Sequence, residues 1–329
     1  MAVDDRWMKG PRGEREESER YGRGLRYRVR YVDDKRKPRE KLFKQLTEAR
    51  QFDKNVNAAL VRGDYVDPDA GKITVLAYGT TWLASQTNGL STREAMGLRF
   101  KNHVFPELGH YPLRELAQQP SLIQAWISGL QDKLATSTIR PIITNLSAMF
   151  SAAVDDGKIT RNPVRSRSVK KPTLPDRKIV PWADARVAAV RAGLPERYAT
   201  TVDVGAGAGL RQGEVLGLSP DDVDWLRLVV HVRRQVKQIR GQLMFGPPKG
   251  GKERDVPLSP QLSLRLAWHL QQWSAQPVTL PWEEQGRVSG PVTAVLMFTG
   301  RERGKAVNRN YYNARLWKPA LVAAGVIPK

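Results

Sequence analysis

The sequence predicts a multidomain α+β protein with a small sheet-plus-helix region first, an all-α four-helix region second and a mixed α+β region last. Its 329 residues exceed an ordinary single domain and suit two or three, each large enough for its own core. Apolar residues alternate with a period of two near the N-terminus and recur at helical spacing over 73–155, and both periods occur after residue 180. These patterns predict separate cores in succession.

The charge of the chain favours a polyanionic partner. Lysine and arginine number 54 against 33 aspartate and glutamate residues, a formal net charge of +21 at pH 7. Double-stranded DNA is the partner that such an excess favours. A generically basic, well-hydrated surface is the alternative interpretation.

The composition also excludes several classes of site. The chain has no cysteine, which excludes disulfides and thiolate zinc sites, and its four scattered histidines argue against a metal centre. No apolar run reaches the length of a membrane span, and the first residues lack the apolar core of a signal peptide. We therefore expect a cytoplasmic protein with no metal and no membrane partner.

The first region, residues 1–66, begins with a charged segment and continues as a small sheet. Residues 1–20 carry charges of both signs and few apolar side chains, which predicts disorder until a partner binds. A turn at 33–35, a second strand at 41–44 and a helix over 47–63 follow the first strand.

That first strand, over residues 25–32, is predicted to have one cationic face and one apolar face. Basic and apolar side chains alternate along it, and successive side chains of a strand point to opposite sides. A cationic strand face can enter a DNA groove, although an ordinary solvated face is the alternative. The cationic face consists of Arg26, Arg28 and Arg30.

A turn-rich linker at 64–71 leads to a predicted bundle over 72–163. Helices are expected over 73–86, from a cap at Ser91, over 122–134, and over 138–155 after caps at Thr136 and Ser137. Four basic side chains of the bundle are candidate phosphate contacts, each with a solvated surface role as the alternative: Arg99, Lys101, Arg140 and Lys158.

Residues 164–178 are predicted to form an extended basic linker. Basic residues outnumber acidic ones there, and two prolines, Pro172 and Pro175, prevent a helix. Such a segment can lie along a phosphate backbone, with Lys170 and Lys171 as contacts, or can be merely flexible.

The last region, residues 179–329, contains the most informative pattern. A buried helix over 199–208 is expected to stop at Gly209, since glycine tolerates the positive φ of a helix end, and a second helix starts at Arg211. An arginine at a helix N-terminus helps to build a phosphate site. Glu214 lies three residues later, where its carboxylate can hold the guanidinium.

A second pattern lies downstream, where strands over 228–232 and 236–243 are expected. Lys249 is predicted to sit at the tip of a glycine-rich hairpin before a strand returns from Arg254. The glycines make the tip mobile enough to carry a lysine into a phosphodiester. Lys252 is close enough to compete for that role, and Arg254 and Lys252 are further candidate DNA contacts.

These two patterns, GLRQGEVLGL and PPKGGKERDVPL in that order, resemble the active-site boxes of the tyrosine recombinases, the phage integrase family. The resemblance implies site-specific recombination through a 3′-phosphotyrosine, with Arg211 on the non-bridging oxygens and Lys249 protonating the 5′ leaving oxygen. It implies an arm-binding domain over 1–66, a SAM-like core-binding domain over 72–163 and a catalytic domain over 179–329, and it lowers the weight of the solvated-face alternative for the first strand.

The resemblance also implies partners. These are attachment-site DNA with core and arm sequences, a homotetramer on DNA in the intact protein, and an accessory DNA-bending or directionality factor. No cofactor is required, because the phosphotyrosine conserves the bond energy. A nucleoid-associated bacterial protein is expected.

The family's His-x-x-Arg box and nucleophilic tyrosine are not found after Lys249. The match at His231 precedes Lys249 and lies on a predicted strand, where residues three apart face opposite sides. Tyr311 and Tyr312, in a predicted helix over 310–324, are expected to pack or to face DNA. We therefore expect a catalytic domain incomplete at its C-terminus.

Three hypotheses follow. The chain is a truncated form of a recombinase, or a non-catalytic protein that occupies attachment sites as a regulator or competitor, or a generic basic DNA-binding protein. The paired boxes disfavour the third. Without its nucleophile, the chain as printed is expected to bind DNA and not to cut it.

Overall fold

The computed structural model describes residues 2–10, 14–33, 36–62, 65, 67, 70–176, 178, 180–302 and 304–328, with Ala2 described by its backbone. The fold is of the mixed α+β class, as predicted. The chain divides into two compact units, Met1–Ser85 with Leu98–Leu174, and Gln86–Gly97 with Pro175–Lys329. Among the described helices, none is both long and apolar enough to cross a bilayer.

The first unit begins with a three-stranded antiparallel sheet backed by one helix. The strand Tyr27–Val32 lies at its centre, and the helix Leu46–Arg62 packs on the sheet. Val29 and Tyr31 are buried while Arg30 is exposed, which confirms the predicted alternation. The outer strands are Ala2–Asp5 and Pro38–Phe43.

The expectation of disorder over residues 1–20 was wrong for part of that segment. Ala2–Asp5 is a strand because the edge of Tyr27–Val32 supplies its backbone hydrogen-bond partners. Met8–Lys9 and Glu16–Glu17 pair as a second, short ladder. The predicted turn at 33–35 and linker at 64–71 lie in good part outside the described residues, as does the predicted helix end at Gly63.

A helical bundle follows in the first unit, around a core that includes Phe100, Ile127 and Phe150. Two predicted caps were wrong. Ser91 lies inside its helix, and Ala135, which has no side chain to cap with, occupies the position before the last helix. The helices are Val75–Ala84, Phe105–Leu108, Leu113–Gln118, Pro120–Gln131 and Thr136–Asp155, together with Leu90–Arg99, which begins in the second unit, and the π-helix Phe100–Val104.

The segment 164–178 is not extended along its whole length. A 3-10 turn, Pro163–Arg165, starts it, and Val164 and Val169 are buried in the core of the bundle. The backbone N–H of Lys170 donates to the side-chain oxygen of Gln124 at 2.6 Å. Apolar burial therefore anchors the first half of the predicted linker to the bundle.

The second unit packs helices against two small sheets. One sheet has the strand Val229–Val232 between Val223–Asp224 and Arg254–Pro257. The other is ordered Arg287–Leu296, Gln276–Glu284, Gln242–Gly246, Gln235–Ile239. The helices are Asp184–Ala192, Glu196–Ala208, Gln212–Leu216, Pro260–Gln272, Arg309–Tyr311 and Lys318–Ala323, with the π-helix Tyr312–Trp317 between the last two.

Two hairpins of this unit differ from expectation. The predicted strand over 236–243 is a hairpin whose turn, Arg240 and Gly241, has positive φ at both residues. The long hairpin over 276–296 was not predicted. Its strands contain prolines at positions 277, 281 and 291, a residue that strand interiors disfavour. These prolines lie in strands at or next to the edge of the sheet, where fewer ladder donors are needed.

Candidate functional site

Arg211 lies at a helix start, as predicted. The helix Glu196–Ala208 ends at Gly209 in the left-handed region, with φ of 63°. The chain then turns, and Arg211 becomes the N-cap of Gln212–Leu216. The side chain of Arg211 is 56% exposed, so it faces outward from the body of the unit.

The Glu214 carboxylate lies beneath Arg211 and is fully buried. It accepts the backbone N–H of Arg211 at 2.9 Å and Nη1 of the same residue at 3.1 Å. Two further bonds come from Arg254, whose Nη1 and Nη2 donate to the two carboxylate oxygens at 3.0 and 2.6 Å. One carboxylate thus holds two guanidinium groups.

These bonds determine the charge state of the cluster. Burial alone would raise the pKa of Glu214, but the hydrogen bonds from Arg254 and Arg211 outweigh it and hold the pKa below its ordinary value of 4.5. The same bond raises the pKa of Arg254. Glu214 and Arg254 are therefore both charged at neutral pH.

Arg211 and Arg254 differ in which of their guanidinium donors remain without an acceptor. Both Nη groups of Arg254 are engaged by Glu214. In Arg211, by contrast, Nε and Nη2 donate to no acceptor among the described residues. Arg211 therefore keeps a free donor fork suited to a phosphate, whereas Arg254, predicted as a DNA contact, orients the carboxylate.

Lys249 does not sit at a hairpin tip. Gly246 ends a strand of the four-stranded sheet and Arg254 starts a strand of the other sheet, so residues 247–253 form a loop between two sheets. Gly250 and Gly251 have φ of 94° and 73°, which a glycine adopts at no steric cost. Lys249 and Lys252 are exposed, and neither has a hydrogen-bond partner in the described part of the chain.

A groove of about 920 Å³ brings these residues together. Arg211, Lys249 and Lys252 all line it, although they come from separate parts of the sequence. Lys237 also lines it but donates to the buried carboxylate of Glu283 at 2.7 Å. That bond, against the effect of burial, lowers the pKa of Glu283.

Sequence reasoning missed two cations of the groove, first Lys237 and then Arg309. Arg309 precedes the predicted helix over 310–324 by one residue, and the observed helix starts at Arg309 with Asn308 as its N-cap. Asn308 was the available signal in the sequence, since an asparagine N-cap at that position places the helix start at residue 309, one residue earlier than predicted.

The two candidate tyrosines have different surroundings. Tyr312 is 4% exposed, and its hydroxyl lies 2.6 Å from that of Thr201. Tyr311 is 38% exposed, and the Arg301 guanidinium lies 5.9 Å from the centre of its ring. Burial raises the pKa of Tyr312, so that hydroxyl is a poor nucleophile.

The arginines of the N-terminal sheet are already paired. Arg26 contacts Asp5 at 2.9 Å, and Asp4 accepts from both Arg28 and Arg30. The expected open cationic face is therefore partly neutralised by the first strand, which the sequence was expected to leave disordered.

The remaining basic candidates belong to the bundle and its linker. Arg99 donates to Asn145 at 3.0 Å, and Lys158 is half-buried. The others are exposed, which leaves their predicted contacts open: Lys101, Arg140, Lys170 and Lys171. His231 lies on a strand, as predicted, and its Nδ1 lies 2.7 Å from Oδ1 of Asp255. It therefore does not form part of a helical His-x-x-Arg box.

Known proteins resemble this chain in sequence. The integrase of Mycobacterium phage D29 is 24% identical over 204 residues, which cover 61% of this chain and 53% of the integrase. A XerC-like tyrosine recombinase of Caldanaerobacter subterraneus is 30% identical over 168 residues, 48% of this chain and 43% of that protein. The chain spans about half the length of the curated relatives that it matches. No protein-family model matches the sequence.

Solved structures resemble it in fold. The Tn1549 transposon integrase in complex with transposon right end DNA superposes with a TM-score of 0.59 at 18% identity, over 73% of this chain and 75% of that one. A lambda integrase tetramer bound to a Holliday junction gives a TM-score of 0.55 at 17% identity, over 92% and 82%. The mixed α+β fold of this chain is thus similar to that of these integrases.

Proposed function

Since this chain belongs to the tyrosine recombinase family, we propose that it binds attachment-site DNA and holds one phosphodiester in the groove beside Arg211 for site-specific recombination. The observation that carries the proposal is the Glu214 cluster. A buried carboxylate holds Nη1 of the Arg211 guanidinium, and Nε and Nη2 have no acceptor among the described residues. A rigid, outward-facing fork of this kind binds the non-bridging oxygens of a phosphate.

The groove supplies the other charges of the reaction. In strand exchange a tyrosine oxygen attacks phosphorus, the bond from phosphorus to the 5′ oxygen breaks, and that oxygen takes a proton. We assign this proton to Lys249, with Lys252 on the same loop as its competitor, because both amines line the groove. No metal or nucleotide enters this chemistry.

We assign the nucleophile to neither tyrosine of the last helical segment. The Tyr312 hydroxyl is buried and held at Thr201, and Tyr311, which is 38% exposed, is expected from the sequence to pack or to face DNA. The printed chain is then a DNA-binding protein that does not join itself to DNA. Occupation of attachment sites as a regulator or competitor is the second candidate function, and the burial of Tyr312 favours it.

The three-part layout gives each region a role in this proposal. The sheet within 1–66 binds arm-type DNA, the bundle within 72–163 binds the core site, and the region 179–329 holds the phosphodiester. The lambda integrase structures include a tetramer on a Holliday junction. We propose the same assembly for this protein, together with an accessory DNA-bending or directionality factor.

The test starts from duplexes that the protein itself selects from a randomised pool. Wild type and Arg211→Ala are incubated with a nicked version of the selected duplex, and a denaturing gel reports covalent adducts. We expect a specific complex and no adduct. Failure to enrich any sequence would contradict site-specific binding.

An adduct would show that a tyrosine of this chain is the nucleophile. Tyr311→Phe and Tyr312→Phe then identify which one, and Arg211→Ala should abolish the adduct. An adduct that Arg211→Ala leaves unchanged would refute the role given to Arg211.

A further inference from the structure

We propose that Arg309 supplies a second guanidinium to the phosphate held by Arg211. This inference rests on the function proposed above and adds a binding residue to the same site. It follows from the position of Arg309, from the contact that joins its helix to the Arg211 helix, and from the donors that each cation of the groove has left.

The position of Arg309 is set by an asparagine cap. Oδ1 of Asn308 accepts the backbone N–H groups of Asn310 and Tyr311 at 2.9 and 3.1 Å, so the helix starts at Arg309. Tyr312, three residues after Arg309, is buried and anchors the segment to the core. Arg309 is exposed and has no partner within the described ranges.

A pair of side-chain amides joins this segment to the Arg211 helix. Nε2 of Gln212 donates to Oδ1 of Asn313 at 2.7 Å, and Nδ2 of Asn313 donates back to Gln212 at 3.4 Å. Asn313 lies four residues after Arg309, which places the two on one face of the helical segment. Gln212 directly follows Arg211. The amide pair therefore holds Arg309 and Arg211 at the same groove, which both residues line.

The cations of the groove fall into two classes. Lys237 is committed to Glu283. Arg211 and Arg309 keep free guanidinium donors, and Lys249 and Lys252 are amines without a partner in the described part of the chain, on the loop 247–253. A phosphate has two non-bridging oxygens, and two arginine forks can bind one each. Both forks stand on helical segments, which position them more firmly than a loop positions a lysine.

The experiment compares two arginines of one helical segment. Arg309→Ala removes a cation that lines the groove, and Arg315→Ala removes one that is exposed and does not line it. Binding of a labelled duplex, taken from the selected pool, is measured by anisotropy between about 50 and 200 mM salt. For Arg309→Ala we expect about a five- to tenfold loss of affinity and a fall of up to about 0.9 in the slope of log K against log salt.

Arg315→Ala should leave both quantities unchanged. Arg309→Lys should keep the slope but lose part of the affinity, because it retains the charge and loses the fork. The double variant with Arg211→Ala tests for a shared phosphate. Its loss of binding free energy should differ from the sum of the losses in the two single variants, since two groups that bind the same phosphate are coupled.

The outcomes separate this inference from the function on which it rests. If the wild type does not bind DNA, the proposed function fails. If it binds and Arg309→Ala behaves like Arg315→Ala, only the role of Arg309 is overturned. Additive losses for Arg211→Ala and Arg309→Ala would place the two arginines on different phosphates and would overturn the shared site.

Discussion

Replacing Glu214 with glutamine should destabilise the second unit strongly. The carboxylate is fully buried and accepts bonds from Arg211 and Arg254, so the variant leaves two cations over a neutral amide. Removing one partner of a buried ion pair costs about 3–5 kcal/mol. Since glutamine keeps the size and one acceptor oxygen, we expect the lower end, about 3 kcal/mol, which corresponds to a fall in melting temperature of roughly 6 to 12 °C.

The assay is thermal and chemical unfolding of wild type and variant, with Glu253→Gln as the matched control. Glu253 is exposed and makes no ion pair within the described ranges, so the same charge change there should alter the free energy of unfolding by less than about 0.5 kcal/mol. Equal stability of Glu214→Gln and Glu253→Gln would refute the reasoning, because the carboxylate would then contribute nothing beyond its volume.

The pH dependence supplies an independent check. Because folding lowers the pKa of Glu214, the ionised carboxylate stabilises the folded state fully above its ordinary pKa of 4.5, and this contribution is lost as the pH falls through the lowered value. The difference in free energy of unfolding between wild type and Glu214→Gln should therefore be constant near neutral pH and shrink below pH 4.5. A difference that grows on acidification would contradict the assigned charge state.

Three further substitutions test other contacts. Tyr312→Phe removes a buried hydroxyl bond and should cost about 1 kcal/mol in thermal unfolding, without affecting DNA binding. Lys237→Met leaves the buried Glu283 carboxylate unpaired and should lower stability by about 3–5 kcal/mol, most clearly above pH 4.5, as urea unfolding would show. Asp4→Asn should free Arg30 and tighten DNA binding several-fold in an anisotropy titration, whereas unchanged affinity would indicate that this arginine does not meet DNA.

The parts of the site that depend on local spacing could be predicted from the sequence. Glycine at position 209 ends one helix, and the three-residue spacing of Arg211 and Glu214 brings their side chains together. The bidentate pairing of Arg254 with the same carboxylate could not be predicted, because it depends on the register of a strand from another part of the chain. The sequence pattern identified Arg254 as a candidate DNA contact. Only the fold shows that its Nη donors are bonded to Glu214.

The same limit explains the N-terminal sheet. Composition predicts disorder for residues 1–20, since they lack the apolar side chains that a core needs. The strand Ala2–Asp5 forms nevertheless, because the backbone of Tyr27–Val32 and the arginines along it supply partners that local composition does not reveal. The long hairpin over 276–296 was not predicted at all, and its three prolines are tolerated at and next to the edge of a sheet.

A large positive charge therefore does not show which cations of this chain are available to an anion; the partners of each cation do. Arg254 and Lys237 neutralise buried carboxylates and stabilise the unit that contains them. Arg211 is held by one Nη group and offers the rest of its fork, and Arg309 and Lys249 offer all their donors to the same groove. A cation with a fixed position and free donors needs no reorganisation to meet a phosphate, which is the condition that electrostatic stabilisation of phosphoryl transfer requires.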